Sequence, residues 1–381
     1  MKAEIVSIGT ELLLGGVLNT NARYLARKLA ELGVDAERQT TVGDNPGRVA
    51  EVFAEAFRRA DVVITTGGLG DTNDDITRAS AEDFMGGGAG RTILPNRRGY
   101  AEGFILESGG KAIIALPGPP NECEPMFANG AAPWIRARVS GTIRSRTIRL
   151  CGIGESSAAR AIADILDSQS NPTVAPYAGR AEMYFRVSAK AGSAAEADAL
   201  TAPVADEIYR RLGEYVYAEG EDATLAGTVT AELLRRSLTI ALAESCTGGL
   251  LSSAITDIPG ASGTLLECAV TYSNDAKIRR LGVPAETLAR FGAVSAETAS
   301  AMAEGAAKRS GADIGVSVTG IAGPGGGSPE KPVGLVWFGI RYNGVTRTEG
   351  RLFGGTGGRE AVRARAVSTA LDIIRRSIKE I

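Results

Sequence analysis

The sequence is built around short apolar runs that each end in a glycine turn and lead into a segment with helical spacing. The clearest is Leu238-Thr-Ile-Ala-Leu242, which runs into Ala243-Glu-Ser-Cys-Thr-Gly-Gly249. Continuous apolar runs of this length predict strands that are buried on both faces. Strands that alternate with helices predict a parallel sheet covered by helices on both sides. We therefore predict an α/β protein whose ligands bind at the carboxyl ends of the strands.

The length of the chain predicts more than one domain, because 381 residues exceed what one compact core usually accommodates. The character of the predicted elements changes near residue 145, and Glu219-Gly-Glu-Asp222 resembles a hinge. We predict an N-terminal parallel-sheet domain over 1–145, a small α+β domain over 146–219 and a C-terminal α/β/α domain over 220–381. The middle segment shows no cluster of catalytic residue types, which favours a scaffold role.

Composition excludes several kinds of chemistry, because the chain contains no histidine. A Ser-His-Asp triad, a Cys-His dyad and a histidine-ligated zinc site cannot be built from these residues. A general base near neutral pH must then be a carboxylate, a lysine of lowered pKa, a tyrosine or a water molecule.

Charge and hydropathy argue against a membrane protein or a general nucleic-acid binder. The formal net charge is −2 and the pI is about 5.7, and the sequence has no basic stripe. No apolar run approaches the length of a membrane span. The four cysteines lack C-x-x-C spacing, so we expect a reduced protein in the cytoplasm.

The turn after Leu238–Leu242 places a hydroxyl, Ser245, between a predicted strand and a predicted helix. Such a turn lifts a nucleophile clear of the sheet and directs free backbone N–H groups at a ligand, here those near Thr247, Gly248 and Gly249. The Gly-x-Ser-x-Gly spelling of the hydrolase nucleophile elbow is absent. An ordinary glycine-serine turn is the alternative interpretation.

Two further strand ends in the C-terminal segment carry candidate chemistry. Val270-Thr-Tyr-Ser-Asn-Asp-Ala-Lys277 presents Tyr272, Asn274 and Lys277, and Asp313–Thr319 runs into the loop Gly320-Ile-Ala-Gly-Pro-Gly-Gly-Gly327. A lysine of lowered pKa can act as the base for a serine, with a tyrosine as relay. The alternatives are a solvated helix lysine and a tyrosine that only packs. Arg359 and Arg363, four apart on the last predicted helix, present two guanidinium groups to one side.

Two strand ends in the N-terminal segment form a second candidate site. They are Gly9-Thr-Glu11, with Thr10 and Glu11, and the loop 67–77, with Gly67, Gly68 and Gly70. The glycines would let backbone amides approach a phosphate, and Asp74 and Asp75 would hold a divalent cation. A helix-capping turn with Asp74 or Asp75 as N-cap explains the same residues. Glu122, after the prolines of Pro117-Gly-Pro-Pro120, would lie at the mouth of this site.

The motifs of the C-terminal segment resemble, closely and in order, the CinA family of bacterial competence/damage-inducible proteins. They are Ala243–Gly249, Thr271-Tyr-Ser-Asn274 with Lys277, Gly292-Ala-Val-Ser295, Thr319-Gly-Ile-Ala-Gly-Pro324 and Lys331-Pro-Val-Gly334. The resemblance implies a nicotinamide mononucleotide (NMN) amidohydrolase of pyridine-nucleotide salvage, with Ser245 as nucleophile and Tyr272 and Lys277 beside it. It also implies a set of substrate-binding residues, namely Thr247, Gly248, Gly249, Ser262, Asn274, Thr319, Gly320, Gly323, Arg359 and Arg363.

The rest of the chain resembles the same family. Gly9-Thr-Glu-Leu12, Thr66-Gly-Gly-Leu-Gly70 and Leu116-Pro-Gly-Pro-Pro120 are similar to its molybdopterin-binding-like domain, and the middle segment is similar to its KH-like domain. In some members the first domain hydrolyses ADP-ribose with a divalent metal. Asp71 stands where a proline is usual, and a helical segment is missing between Asp83 and Arg91. These departures predict that full pyrophosphatase activity is not kept.

Residues and resemblance together predict an NMN deamidase that needs no cofactor. Ser245 would attack the carboxamide, Lys277 would take its proton directly or through Tyr272, and backbone N–H groups of the turn would hold the oxyanion. The alternatives are a metal-dependent ADP-ribose pyrophosphatase in the N-terminal domain and a non-catalytic binding protein for molybdopterin or competence machinery. The resemblance also implies a homodimer.

Overall fold

The computed structural model describes residues 1–72, 75–139, 141–179, 182–354 and 357–379. These residues form two compact units, one of Met1–Ser145 with Ser188–Thr201 and one of Arg146–Val187 with Ala202–Ile381. No helix in the described ranges combines the length and apolar character needed to cross a bilayer.

The N-terminal segment forms a six-stranded sheet in the order β2-β1-β3-β6-β5-β4. Its elements are β1 (Lys2–Ile8), α1 (Thr10–Leu13), α2 (Thr20–Glu31), β2 (Asp35–Val42), α3 (Pro46–Ala56), β3 (Val62–Thr66), α4 (Thr77–Met85), β4 (Gly90–Leu94), β5 (Gly103–Ser108), β6 (Lys111–Leu116), α5 (Pro120–Met126) and α6 (Ala132–Arg136), with a π-helical turn over Phe127–Ala131.

This sheet confirms the predicted α/β class, and it carries two antiparallel strands in addition to the predicted parallel ones. Strands β1, β2, β3 and β6 are parallel, whereas β5 pairs antiparallel with both β6 and β4. Gly109 and Gly110, both with positive φ, connect β5 to β6 in a two-residue turn. Such a turn reverses the chain at once and leaves no room for the crossover helix that a parallel pair requires.

The middle segment is the α+β unit expected from the sequence. It forms a four-stranded sheet in the order β10-β7-β9-β8. Its elements are β7 (Thr142–Leu150), α7 (Glu155–Ala161), α8 (Ala163–Ser168), β8 (Thr173–Ala178), β9 (Met183–Ala191), α9 (Ala194–Leu212) and β10 (Val216–Glu219).

The C-terminal segment forms a five-stranded sheet in the order β12-β11-β13-β14-β15, in which the first three strands are parallel. Its elements are α10 (Leu225–Arg235), β11 (Ile240–Glu244), α11 (Leu250–Thr256), β12 (Leu265–Val270), α12 (Asn274–Ala276), α13 (Ala285–Phe291), α14 (Ala296–Ser310), β13 (Ile314–Gly320), β14 (Leu335–Tyr342), β15 (Val345–Leu352) and α15 (Gly358–Lys379). A 3₁₀ turn over Ala261–Gly263 precedes β12, and a π-helical turn over Lys277–Leu281 follows α12.

Strand β11, which lies between β12 and β13, is buried on both faces, as its apolar run predicts. Ile240 and Leu242 pack in a core with α10, α11 and α15, whereas Ala241 and Ala243 pack in a second core with α13 and α14. Because side chains alternate along a strand, Glu244 points to the α11 and α15 face. The next residue, Ser245, continues the alternation toward the α14 face.

Candidate active site

Ser245 leaves the carboxyl end of β11 in a tightly constrained turn. Its backbone N–H donates to the Val318 carbonyl at 2.9 Å, which keeps it aligned with the neighbouring strand β13. Gly248 and Gly249 then take φ values of 59° and 95°, a region that favours glycine, and α11 begins at the next residue. The glycine pair therefore lets the chain turn from strand to helix within four residues of the hydroxyl.

Lys277 lies directly against this hydroxyl. Its Nζ donates to the Ser245 Oγ at 3.2 Å, to the Thr271 carbonyl at 2.8 Å and to the Tyr272 carbonyl at 3.1 Å. The side chain is only 1% exposed. Burial disfavours the charged ammonium and lowers the pKa of Lys277 from 10.5 to about 8. An appreciable fraction of this amine is therefore neutral near pH 7 and able to accept a proton from Ser245.

The side chains of Tyr272 and Asn274 lie further from the serine–lysine pair. Tyr272 is 64% exposed and its hydroxyl accepts from Arg359 Nη2 at 3.4 Å, so Lys277 touches its carbonyl and not its phenol. Asn274 is exposed at the first position of α12, after the N-cap Ser273. The contacts of Lys277 thus favour direct proton transfer over a tyrosine relay.

The final helix brings both predicted arginines to the turns of the site. Arg359 Nη1 donates to the Gly323 carbonyl at 2.9 Å, and Arg363 Nη2 donates to the Thr247 carbonyl at 2.7 Å. The Arg363 Nε is buried and has no hydrogen-bond partner among the described residues. Guanidinium groups held in this way by backbone carbonyls keep further donors available for an anion.

Thr319 and Gly320 end the strand β13 beside Ser245. Glu244 is paired with both Val270 and Val318, so the residues that follow on the three strands, Thr271, Ser245 and Thr319, lie side by side at the carboxyl edge. The Thr319 hydroxyl donates to the Ala293 carbonyl at 2.7 Å. Thr271, which the sequence did not single out, supplies the carbonyl that holds Lys277.

Ser262 is not brought to Ser245 within one chain. It lies in the turn before β12, and Leu265 of that strand pairs with Ile240 at the amino-terminal edge of the sheet. Five residues of strand, at about 3.3 Å each, separate this edge from Ser245. The placement of Ser262 among the substrate-binding residues of the same chain is therefore corrected, because resemblance in a motif does not show at which end of a strand a residue lies.

Glu244 has a function at the turn that the sequence did not reveal. It is fully buried, and its carboxyl group accepts from the backbone N–H of Gly249 at 2.9 Å, Leu251 at 3.1 Å and Ser252 at 2.8 Å. The Ser252 hydroxyl also donates to it, at 2.5 Å. The sequence signal for this role is a single acidic residue at the end of an apolar run, because a carboxyl group that is buried requires several hydrogen-bond donors.

The N-terminal segment also has a cavity at the carboxyl ends of its strands, with a volume of about 490 Å³. Glu11, Gly67, Gly68, Gly70 and Asp75 line it, as the sequence predicted. Glu122, which the sequence placed at the mouth of this site, also lines it, together with two more acidic residues, Asp44 and Asp71. No lysine or arginine is found in this lining among the described residues. Thr10 lies beside the cavity, and its N–H donates to Asp44 Oδ2 at 2.8 Å.

Gly67 of this second site is required by a close contact with the backbone of β1. A Cβ at Gly67, where φ is 99°, would lie 2.1 Å from the Ile8 carbonyl oxygen. Gly67 is therefore required by the packing of the loop against β1, whereas the approach of these backbone amides to a phosphate stays a prediction.

The predicted metal ligands of the second site are only partly described. Asp74 lies outside the described residues. Asp75 Oδ2 accepts from the N–H of Thr72 at 2.9 Å and from its hydroxyl at 2.5 Å. Burial alone would raise the pKa of Asp75, but these bonds hold it below the usual value. Asp75 does not cap α4, whose N-cap is Ile76. In the described ranges, no three His, Cys, Asp or Glu side chains are grouped to hold a metal ion, so no chemical step is assigned to one.

A buried lysine amine lies against a serine hydroxyl at the carboxyl edge of an α/β sheet, an arrangement in which a serine can be activated as a nucleophile. Three known domain families match successive parts of the chain, in the same order as its three sheets. Family models match the probable molybdopterin binding domain at 4–137, the damage-inducible protein CinA KH domain at 145–218 and the CinA C-terminal domain at 222–378.

Full-length relatives agree with these matches. A CinA-like protein of Kosmotoga olearia is 45% identical, and a putative competence-damage inducible protein of Clostridium acetobutylicum is 46% identical, each covering 99% of both chains. The chain therefore belongs to the CinA family. A crystal structure of competence/damage inducible protein CihA from Agrobacterium tumefaciens is 42% identical and covers 42% of this chain and 99% of its own, with a TM-score of 0.39.

Proposed function

We propose that this protein is a cytoplasmic amidohydrolase that converts NMN and water to nicotinic acid mononucleotide and ammonia. The observation that carries the proposal is the 3.2 Å contact between the Lys277 Nζ and the Ser245 Oγ, made by an amine that is almost completely buried. A chain without histidine needs another base for a serine nucleophile, and a lysine of lowered pKa meets that need.

The proposed reaction has two halves. Ser245 Oγ attacks the carboxamide carbon and its proton passes to Lys277 Nζ. The tetrahedral intermediate then collapses as Lys277 returns the proton to the amide nitrogen, and ammonia leaves an acyl-serine ester. In the second half Lys277 takes a proton from water, whose oxygen attacks the ester carbon. Lys277 then returns this proton to the Ser245 Oγ as its bond to the acyl carbon breaks, and the acid product leaves as the carboxylate with release of a proton to solvent.

The arginines support a mononucleotide as the substrate. Arg359 is held at the glycine loop and Arg363 at the nucleophile turn. A phosphate between them would receive charge-assisted hydrogen bonds, including one from the Arg363 Nε that has no partner in the described chain. The loop Gly320–Gly327 would add backbone N–H groups.

A homodimer is part of this proposal. Strand β12 is an edge of the sheet, and Leu266 and Val270 on it are about half exposed. Antiparallel pairing of two such edges would cover these side chains and bring the start of one strand beside the end of the other. Ser262 of the partner subunit would then approach the Ser245 site. Light scattering should show a dimer, and Leu266→Lys should shift it toward the monomer.

The N-terminal cavity favours one second candidate, a metal-dependent pyrophosphatase acting on ADP-ribose. Its size suits part of a nucleotide, and its carboxylates would suit a divalent cation better than a bare phosphate. A non-catalytic binding protein remains the other candidate.

One experiment separates these three functions. The protein is incubated with NMN and with ADP-ribose, each with Mg²⁺, with Mn²⁺ and with chelator, while ammonia and AMP are measured. The proposal expects ammonia from NMN at the same rate in all three conditions. AMP that appears only with metal would support the pyrophosphatase, and the absence of both products would support a binding protein.

A further inference from the structure

The backbone N–H groups of the nucleophile turn are mostly occupied by the protein itself. Gly248 N–H donates to the Ser245 carbonyl at 3.1 Å, and Leu250 N–H donates to the Thr247 carbonyl at 3.3 Å. The N–H groups of three more residues, Gly249, Leu251 and Ser252, donate to the Glu244 carboxyl group. Groups that are already paired are not available to a substrate oxygen.

Two N–H groups of the turn remain. Those of Cys246 and Thr247 donate no hydrogen bond to any residue in the described part of the chain. They follow the nucleophile directly, and in enzymes with a strand-to-helix nucleophile turn the N–H of the residue after the nucleophile serves as an oxyanion donor. An oxyanion site needs donors that are fixed before the reaction and have no competing acceptor.

We infer that Glu244 is a positioning residue that fixes the nucleophile turn and leaves the N–H groups of Cys246 and Thr247 as the oxyanion donors. The inference rests on the proposed function in taking Ser245 as the nucleophile. The sequence placed the oxyanion donors near Thr247, Gly248 and Gly249. The inference keeps Thr247, adds Cys246 and removes the two glycines.

The geometry explains why a carboxyl group serves here. Glu244 and Ser245 are consecutive on β11, so their side chains point to opposite faces of the sheet. Oε2 holds Gly249 and Leu251, and Oε1 holds Ser252 through its N–H and its hydroxyl. These bonds connect the start of α11 to Glu244, the residue before the nucleophile. Both ends of the turn between them are therefore held in place.

Glu244→Gln tests this inference with almost no change of volume. The glutamine amide keeps one oxygen and puts an NH₂ group where the other was, so it can serve only one of the two pairs of donors. The turn should shift by a fraction of an ångström, and kcat for ammonia release from NMN should fall about 30- to 100-fold. KM and the pKa seen in the pH profile should not change, because Arg359, Arg363 and Lys277 are untouched.

Ser252→Ala is the matched control. It removes one of the four hydrogen bonds to Glu244 and leaves all three backbone donors, so kcat should stay within about threefold of the unchanged protein. If Glu244 only caps the helix, Glu244→Gln lowers the melting temperature and leaves kcat within threefold as well. That result in a folded variant would overturn the inference.

A second measurement uses the unchanged protein and so does not depend on the folding of a variant. Phenylboronic acid is added, and the tetrahedral adduct on Ser245 is followed by amide NMR, with Ser245→Ala as the control. The amide signals of Cys246 and Thr247 should shift on adduct formation, while those of Gly249, Leu251 and Ser252 stay in place. The opposite pattern would contradict the assignment of the donors.

The two measurements also separate this inference from the proposed function. If the protein forms the boronate adduct but releases no ammonia from NMN, the substrate is wrong and the NMR pattern still decides the donors. If no adduct forms on Ser245, the nucleophile is wrong and the inference falls with it.

Discussion

The nucleophile turn of the C-terminal sheet and the glycine loop of the N-terminal sheet begin from the same sequence pattern and reach different chemistry. Each follows a buried parallel strand and uses glycines of positive φ. In the C-terminal sheet the carboxyl group of Glu244 accepts hydrogen bonds from backbone N–H groups of the turn, and the buried Lys277 amine contacts the Ser245 hydroxyl. In the N-terminal sheet the acids face an open cavity.

The difference between the two regions shows that the end of a strand determines where a site lies. The charged side chains that neighbouring elements bring to that end determine its chemistry. Lys277 and Arg359 come from later elements, α12 with its π-helical turn and α15, which no pattern near Ser245 reveals. The N-terminal cavity receives no cation from its described neighbours.

The largest effect is expected for Lys277→Met, which keeps the volume and removes the base. The kcat/KM for ammonia release should fall about 10³- to 10⁴-fold, because proton transfer from Ser245 is lost. Asp75→Asn, the matched change at the N-terminal cavity, should leave ammonia release within about twofold. Equal losses in the two variants would show that the two sites are not independent in function.

The same variant should change how stability depends on pH. The pKa of Lys277 falls from 10.5 when exposed to about 8 in the fold, so between these values the unfolded chain binds more protons and stability rises with pH. Below pH 8 the fold carries the cost of a buried ammonium, up to about 3 kcal/mol. Chemical denaturation at pH 7 and pH 10 should show this rise in the unchanged protein and not in Lys277→Met.

Arg359→Ala tests the assignment of phosphate binding. KM for NMN should rise about 10- to 50-fold with kcat changed less than threefold, since a charge-assisted contact to the phosphate is lost before and during the reaction. Arg365→Ala is the control on the same helix, where Arg365 Nη1 donates to the Gly354 carbonyl. A loss confined to kcat would move Arg359 from substrate binding to the chemical step.

The smallest effect is expected at the N-terminal loop. Thr72→Val removes the hydroxyl that donates to Asp75, so the pKa of Asp75 should move up toward its usual value. The stability lost at neutral pH should be about 1 kcal/mol, as for one hydrogen bond, and ammonia release should not change. NMR titration of the Asp75 carboxyl group measures the shift, and an unchanged pKa would contradict the role given to Thr72.

Much of the candidate site follows from the sequence because it lies where apolar runs end. Ser245, Lys277 and the loop after Thr319 are each within a few residues of a strand end, and parallel strands bring those ends to one edge. Glu244 was missed because its partners depend on the path of the turn. Ser262 was misplaced because it lies in a turn before a strand and not after one. The hairpin of β5 and β6 was missed because its two-glycine turn was not recognised.

The pH dependence of kcat/KM for ammonia release from NMN decides whether Lys277 is the base for Ser245, because it reports the ionisation of the free enzyme's base. The contact between Lys277 and Ser245 predicts a rate that rises about tenfold per pH unit at acidic and neutral pH and levels off above about 8. A rate that is flat from pH 6 to 9, or one that falls through this range, would contradict the assignment of the buried amine as the base.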